Sequence, residues 1–318
     1  DTNEKKAFTT YLKIIFYYIR AWWGYYYSDL NQGKTLLWNI NIGLPLKNIM
    51  EQDIVKSYES ITEEAWKRSF YNNIESLNKD SFEINHYPEY AAQINSYLNS
   101  PKRHRGLHLL IDIGAGTTDI CTFNVTEDDE QNINLPGMTS TVLNHGTHTL
   151  NNERFNLIDA HKIFTETLDT EEFLIKYSTI DRENLIKIDK NFIDYVAHEI
   201  KKVLGKTKQN KNRKASEWRN GITSFICGGG INSNIYKEIM KEVQDSKDLF
   251  SQFKLTYSTL DYPGNIKSRF NIYNFHRLSV AYGLSYSSFN WPKIPTYEVD
   301  DEVVEKPKLR GDFGDNYY

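Results

Sequence analysis

The chain has 318 residues, a net charge of −4, 39% hydrophobic residues and 25% charged residues. That length is enough to bury a sizeable core and favours two lobes over one, and the charge balance excludes a bulk electrostatic attraction to nucleic acid. The 22 tyrosines, within an aromatic fraction of 14%, are interpreted as large core and interface side chains.

The first elements of the chain are apolar. Residues 1–28 predict an aromatic-rich helix, and Lys13 and Arg20 interrupt its apolar run. The run is also short for a membrane span, so we expect this helix to pack against a sheet. The apolar spacing then predicts a buried strand over residues 36–46 and an amphipathic helix over residues 50–77. A further helix is predicted over residues 87–99.

Residues 107–125 form the most informative stretch and predict a β-hairpin. An apolar strand ends at Asp112, and a second apolar strand begins near Asp119. The turn between them holds small and hydroxyl-bearing residues: Gly114, Ala115, Gly116, Thr117 and Thr118. Glycines permit close backbone approach, and successive N–H groups at such a tip can bind an anion. Asp112 is placed to hold Mg²⁺, directly or through water.

The second half of the chain predicts more helix and a return to the sheet. Residues 153–204 have helical apolar spacing, and the lysine-rich residues 206–219 are interpreted as a polar connection. An apolar strand then ends in Gly228, Gly229 and Gly230, and a helix follows that Asn232 or Ser233 can cap. After Trp291 the chain becomes acidic and has no helical or strand period.

Cys121 and Cys227 are the two cysteines, and each falls inside an apolar strand. No Cys/His spacing typical of a metal site is present. We therefore predict buried free thiols, which fit a reducing compartment and a cytoplasmic location.

Five stretches, in order, resemble the superfamily that unites actin, DnaK-like heat-shock chaperones and sugar kinases. The hairpin resembles the second phosphate motif of this superfamily. The strand that ends in three glycines resembles its adenosine motif. The three remaining stretches resemble its connecting strand and its two connecting helices. The stretches are Leu37–Leu46, Tyr87–Ala92, Asp112–Asp119, Ser224–Ser233 and Leu278–Leu284. Gly146–Asn156 and Glu199–Lys202 are similar to chaperone segments in particular. The resemblance implies an α/β, ribonuclease-H-like (actin-like) fold of two lobes, with mixed sheets flanked by helices.

The resemblance also implies a binding site for ATP or ADP with Mg²⁺ between the lobes. Asp112 would hold the Mg²⁺ shell, and phosphate oxygens would lie on the hairpin turn, Gly114, Ala115, Gly116, Thr117 and Thr118. The three glycines at 228–230 would accommodate adenosine, as would Glu199 and Lys202, although a surface ion pair explains those two equally well. For Asp119, a structural role in the hairpin is preferred slightly over metal binding.

Two departures from the superfamily pattern bear on hydrolysis. No first phosphate hairpin precedes Leu37, so we expect the first lobe to be incomplete and the sequence to be a fragment, or the upstream part to be a separate chain. Tyr87 stands where the chaperones have a catalytic Glu and actin a Gln. Glu89 is the candidate substitute if the helix start is shifted.

We expect residues 1–106 to be the remainder of lobe I and 107–277 to be lobe II, with an outer helical subdomain at 153–220. Residues 278–290 would form a connecting helix back to lobe I, and 291–318 a tail. The predicted function is a chaperone-like or actin-like ATP-binding domain that opens and closes with nucleotide state. Whether it is an ATPase stays open. The alternatives are a catalytically weak nucleotide-sensing scaffold and a filament-forming protein. A protein partner or self-association is expected, without nucleic acid or membrane.

Overall fold

The computed structural model describes residues 2–31, 35–69, 81–130, 132–157, 169–177, 181–231, 233–245, 253–264, 272–287 and 291–295. Their strands are β1 (Leu37–Leu44), β2 (Ser81–Pro88), β3 (Gly106–Ile113), β4 (Thr118–Glu127), β5 (Ile133–Asn134), β6 (Gly137–Leu143), β7 (Ile222–Cys227) and β8 (Leu255–Ser258). Their α-helices are α1 (Thr2–Tyr27), α2 (Leu46–Met50), α3 (Gln52–Arg68), α4 (Glu89–Leu98), α5 (Thr147–Asn156), α6 (Thr170–Lys176), α7 (Arg182–Lys206), α8 (Glu217–Asn220), α9 (Asn234–Gln244) and α10 (Ser279–Leu284).

The described strands form two sheets. β1 and β2 pair in parallel as a two-stranded sheet, and α1 and α3 cover one of its faces. The second sheet has the order β5-β4-β3-β7-β8, with β6 also paired to β4. The β3–β4 pair is antiparallel whereas β3–β7 and β7–β8 are parallel. The predicted α/β fold, with mixed sheets flanked by helices, is confirmed.

The large sheet is buried on both faces, which explains the nearly continuous apolar run of β3. Leu109, Ile111 and their alternate neighbours pack against α7 and α9. Leu110 faces the opposite way and packs in a second core with Tyr90 and Ile94 of α4. Since side chains alternate along a strand, Asp112 lies on the α4 side as well.

Helices α4 and α10 join the two sheets. The amide of Asn41, on β1, donates from Nδ2 to the Leu284 carbonyl at 2.6 Å. A Cβ on Gly283 would overlap the Ala92 carbonyl oxygen. The small residues therefore let the two helices cross in direct backbone contact, as the sequence predicts for Leu278–Leu284.

Several sequence predictions differ from the structure in detail. Strand β2 was missed, although Phe82 and Ile84 alternate with polar residues there. Part of the 206–219 stretch is not a loose connection, because a π-helical turn at Thr207–Lys211 extends α7 and α8 follows. Thr207 is buried and shares a 2.6 Å hydrogen bond with the Thr122 hydroxyl. Residues 70–77 of the predicted 50–77 helix and residues 296–318 of the predicted tail lie outside the described residues. No helix of the part of the chain that the structure describes is long and apolar enough to cross a membrane.

Candidate functional site: two glycine turns and three carboxyls

The parallel pairing of β3 and β7 brings the two predicted glycine turns together. Asp112 is opposite Cys227 in the strand register, so the strands end at the same edge of the sheet. Gly228 has φ +87°, and a Cβ there would overlap the Ile113 carbonyl oxygen and the Asp112 carboxylate. Gly230 donates its N–H to the Ile113 carbonyl at 3.2 Å. The hairpin and the glycine bend, residues 228–230, are in direct contact.

The start of α5 supports the hairpin turn. The N–H groups of Thr147 and His148 donate to the carbonyls of Gly114 and Ala115 at 3.1 and 2.7 Å. A Cβ on Gly146 would lie 2.5 Å from the Ala115 carbonyl oxygen. The positive end of the α5 dipole is therefore directed at the hairpin, which favours a bound anion.

The two hydroxyls of the turn have different surroundings. Thr118 is fully buried, and its Oγ1 donates to the His145 carbonyl at 2.7 Å. Thr117 is partly exposed, and its Oγ1 donates to Asp119 Oδ2 at 3.1 Å. Thr118 thus has a partner inside the protein. Phosphate contacts by Gly114, Ala115, Gly116, Thr117 and Thr118 stay a prediction.

Glu89, Asp112 and Asp119 line one pocket between α4 and the large sheet. Asp112 and Asp119 are opposite each other across the β3–β4 pair, and Glu89 is the first residue of α4. Gln93, one turn along α4, donates from Nε2 to Asp112 Oδ2 at 2.9 Å. The pocket has a volume of about 400 Å³, including solvent space at its mouth; it is also lined by Pro45, Leu46, Tyr90, Leu110, Ile120, Cys121, Ser140, Thr141 and Val142.

All three carboxyls are harder to ionise than usual. Burial, and after it the nearby charges of Asp119 and Asp112, together raise the pKa of Glu89 to about 7. Burial also raises the pKa of Asp119 to about 6. The pKa of Asp112 is raised by burial, against the opposing hydrogen bond from Gln93. A pKa near 7 suits a group that exchanges protons at neutral pH.

The structure places Tyr87 and Glu89 differently. Tyr87 lies near the end of strand β2. Its ring stacks on that of Trp291, with the ring centroids 3.6 Å apart and an angle of 14° between the ring planes. Glu89 instead faces the two aspartates in the pocket. Helix α4 begins at Glu89, whereas the sequence predicts helix from residue 87. The catalytic role of Glu89 stays a prediction.

Glu199 and Lys202 pair with each other on α7, with Lys202 Nζ 3.6 Å from Glu199 Oε2. Among the described residues, neither side chain forms a hydrogen bond or ion pair with the glycine bend. Their predicted contact with adenosine stays a prediction.

Asp112 is the predicted Mg²⁺ ligand. Within the described ranges, no group of three His, Cys, Asp or Glu side chains is arranged to hold a metal ion. A single carboxylate still fits Mg²⁺, because this ion keeps several waters and takes substrate phosphate oxygens as ligands. Both cysteines are buried free thiols, as predicted. The sequence analysis missed Gln93, although it lies one helical turn after Glu89.

Comparison with solved structures finds similarity to actin-like proteins. Apo pSK41 ParM is 12% identical over 80% of this chain and 64% of its own, with TM-score 0.40. Spiroplasma citri MreB5 bound to ADP is 15% identical over 87% and 74%, with TM-score 0.48. Ta0583, an archaeal actin homologue in complex with ADP, is 14% identical over 81% and 73%, with TM-score 0.42. This chain spans slightly less than two thirds of the ParM proteins of pSK41 and pCBH.

No protein-family model matches the sequence, and no curated protein matches it.

We predict that Gly228→Ala destabilises the protein whereas Gly229→Ala does not. An alanine at 228 must adopt positive φ and overlap Asp112 and Ile113, which costs about 2–4 kcal/mol. A Cβ at 229 meets only Arg277, at 3.7 Å or more, so its effect is within about 1 kcal/mol. Urea unfolding measures both free energies. Equal effects of the two substitutions would contradict the close contact of the turns.

We predict that the ionisation of Glu89 lowers the free energy of unfolding as pH rises from about 4.5 to 7, so that the unmodified chain loses more stability over this window than Glu89→Gln does. The pKa of folded Glu89, about 7, lies above its ordinary value of 4.5, so the folded state binds more protons in this window. Glu89→Gln removes that ionisation and raises stability at pH 8 by about 1–3 kcal/mol. Urea titrations at several pH values test this, with exposed Glu153→Gln as control. An unchanged pH slope in Glu89→Gln would refute the prediction.

Proposed function

We propose that this chain binds Mg·ATP where the hairpin and the glycine bend meet, beside the pocket of Glu89, Asp112 and Asp119, and hydrolyses it as the ATPase unit of an actin-like protein. The observation that carries the proposal is the contact between the two glycine turns beside Asp112. The exposed residues of the two turns are Ala115 and Gly116 on the hairpin and Gly229 on the bend. These are the residues that would meet the phosphates and the nucleoside. The buried free cysteines support a cytoplasmic location.

The charges of the pocket support a bound polyphosphate with its cation. Glu89, Asp112 and Asp119 would repel ATP alone, but a divalent cation neutralises that repulsion and the phosphate charge. Asp112 is the residue to hold the Mg²⁺ shell, since Gln93 fixes its carboxylate from one side. The N-terminus of α5, behind the hairpin, supplies partial positive charge to the phosphates.

Glu89 is the residue for the hydrolytic step. Its pKa of about 7 lets it accept a proton at neutral pH from a water that attacks the terminal phosphorus. The bond from that phosphorus to the bridging oxygen breaks, giving ADP and inorganic phosphate. Tyr87, held against Trp291, takes no part. Opening and closing with nucleotide state would pivot on the contact between α4 and α10.

The expected outcome separates binding from hydrolysis. Asp112→Ala should weaken ATP binding by tenfold or more, because a direct ligand of the cation shell is lost. Glu89→Gln should keep binding but lower phosphate release by roughly 10²- to 10⁴-fold, the usual contribution of a general base. Calorimetry measures the binding and a phosphate assay the release.

Tyr87→Phe is the control and should behave as the unmodified chain does. ATP binding without phosphate release in the unmodified chain would favour the nucleotide-sensing scaffold. Failure to bind ATP would exclude the whole proposal. The chaperone-like alternative stays a prediction, as do the lobe boundaries.

A second proposal is self-association through α1. Aromatic and aliphatic side chains are exposed along this helix, where a monomer would normally keep charged residues. The most exposed are Tyr25 at 80%, Tyr18 at 69%, Tyr26 at 63% and Ile14 at 62%. Tyrosine is enriched where proteins bind each other, and a second copy of this chain would cover the surface.

We expect concentration-dependent assembly in sedimentation velocity, and its loss in the double variant Tyr18→Asp/Tyr25→Asp. Two buried charges in the contact would each cost several kcal/mol. Ile175→Asp is the matched control, since Ile175 is 81% exposed on α6 and should leave assembly unchanged. Sedimentation as a monomer at every concentration would rule out the proposal.

A further inference from the structure

Asp169 lies immediately before α6 and connects that helix to α9. Its side chain accepts the Glu172 N–H in a capping box at the start of α6. The same carboxylate accepts the Asn234 N–H and the Ser233 hydroxyl, at 2.5 and 3.1 Å. Asn234 Nδ2 donates to its second oxygen at 2.5 Å. One side chain therefore caps two helices that are 64 residues apart in the chain.

The contacts of Asp169 continue to the glycine bend and the hairpin. Ser233, buried under Asp169, caps α9 and donates its own N–H to the Gly230 carbonyl at 3.1 Å. Gly230 in turn donates to the Ile113 carbonyl, and a Cβ there would lie 2.5 Å from the Ile113 side chain. A continuous set of hydrogen bonds thus runs from Asp169 through the bend to the end of β3.

We propose that Asp169 is a positioning residue for the nucleoside end of the bound nucleotide, an inference that rests on the proposed function. It fixes where α9 begins, and Ser233, the residue before α9, is hydrogen-bonded to the last residue of the glycine bend. Its carboxylate also occupies the N-terminus of α9, so this helix end is closed to phosphate. The phosphates are thereby directed to the hairpin and the nucleoside to the bend.

The chain offers a matched control for this role. Asp181 caps α7 by accepting the Glu183 N–H at 3.0 Å and Asn184 Nδ2 at 2.7 Å. Both aspartates stabilise a helix start. Of the two, Asp169 alone forms hydrogen bonds to α9 in the part of the chain that the structure describes. Losing the Asp181 cap should lower stability by about 1 kcal/mol. Losing Asp169, which caps two helices, should lower it by more, so binding is compared on protein shown to be folded.

The test compares the affinities of AMP, ADP and ATP by calorimetry on folded protein. Asp169→Ala should weaken all three about tenfold, equally, because the nucleoside contact is common to them; this corresponds to about 1.4 kcal/mol. Asp112→Ala should instead affect ATP more than AMP. Asp181→Ala should leave all three affinities unchanged. Asp169→Asn keeps an acceptor oxygen and should restore binding to within about threefold.

Three results would overturn the inference. Asp169→Ala could bind nucleotides as the unmodified chain does, could weaken ATP alone, or could behave as Asp181→Ala does. If Asp169→Ala does not fold, Ser233→Ala replaces it, and unchanged affinity in that variant overturns the inference equally. Absence of nucleotide binding in the unmodified chain is a different result, because it refutes the proposed function itself.

Discussion

The site depends on one backbone contact: the parallel pairing of β3 with β7, which ends with Gly228 against Asp112. The carboxyl ends of parallel strands meet at the same edge of a sheet, and in α/β proteins that edge is where ligands bind. Here the contact is close enough to exclude any side chain at 228. The hairpin and the glycine bend therefore behave as one rigid unit, held from behind by α5 and from the side by α9.

The same geometry explains why the pocket gathers like charges. Asp112 and Asp119 face each other because they are partners across the antiparallel pair, and Glu89 joins them because α4 packs on that face of the sheet. Carboxyls so close and so buried resist ionisation, hence the raised pKa values of all three. Such a cluster lowers the free energy of unfolding at neutral pH, where the carboxyls ionise. Gln93, which donates to Asp112, offsets only part of the cost.

Most of the fold and both glycine turns could be predicted from the sequence, because each has a local signature. The apolar run before Asp112, the triple glycine and the small residues of α10 all depend on near neighbours. The other features depend on contacts between distant residues. Gln93 acquires its role only when α4 crosses β3, and Asp169 only when α6 meets α9. Strand β2 was missed, because no prediction was made for the residues between the amphipathic helix and α4.

The placement of Glu89 follows from Pro88. In the family resemblance, Tyr87 and not Glu89 stands at the position of the catalytic residue. A residue before proline is driven to an extended conformation, so Tyr87 must remain in the strand. Proline lacks an N–H and therefore belongs at or before the first turn of a helix, so α4 begins directly after it. The first residue of that helix is then an acid on the side facing β3 and β4. The tyrosine stacks on Trp291, and the carboxyl two residues later lies in the pocket with Asp112 and Asp119.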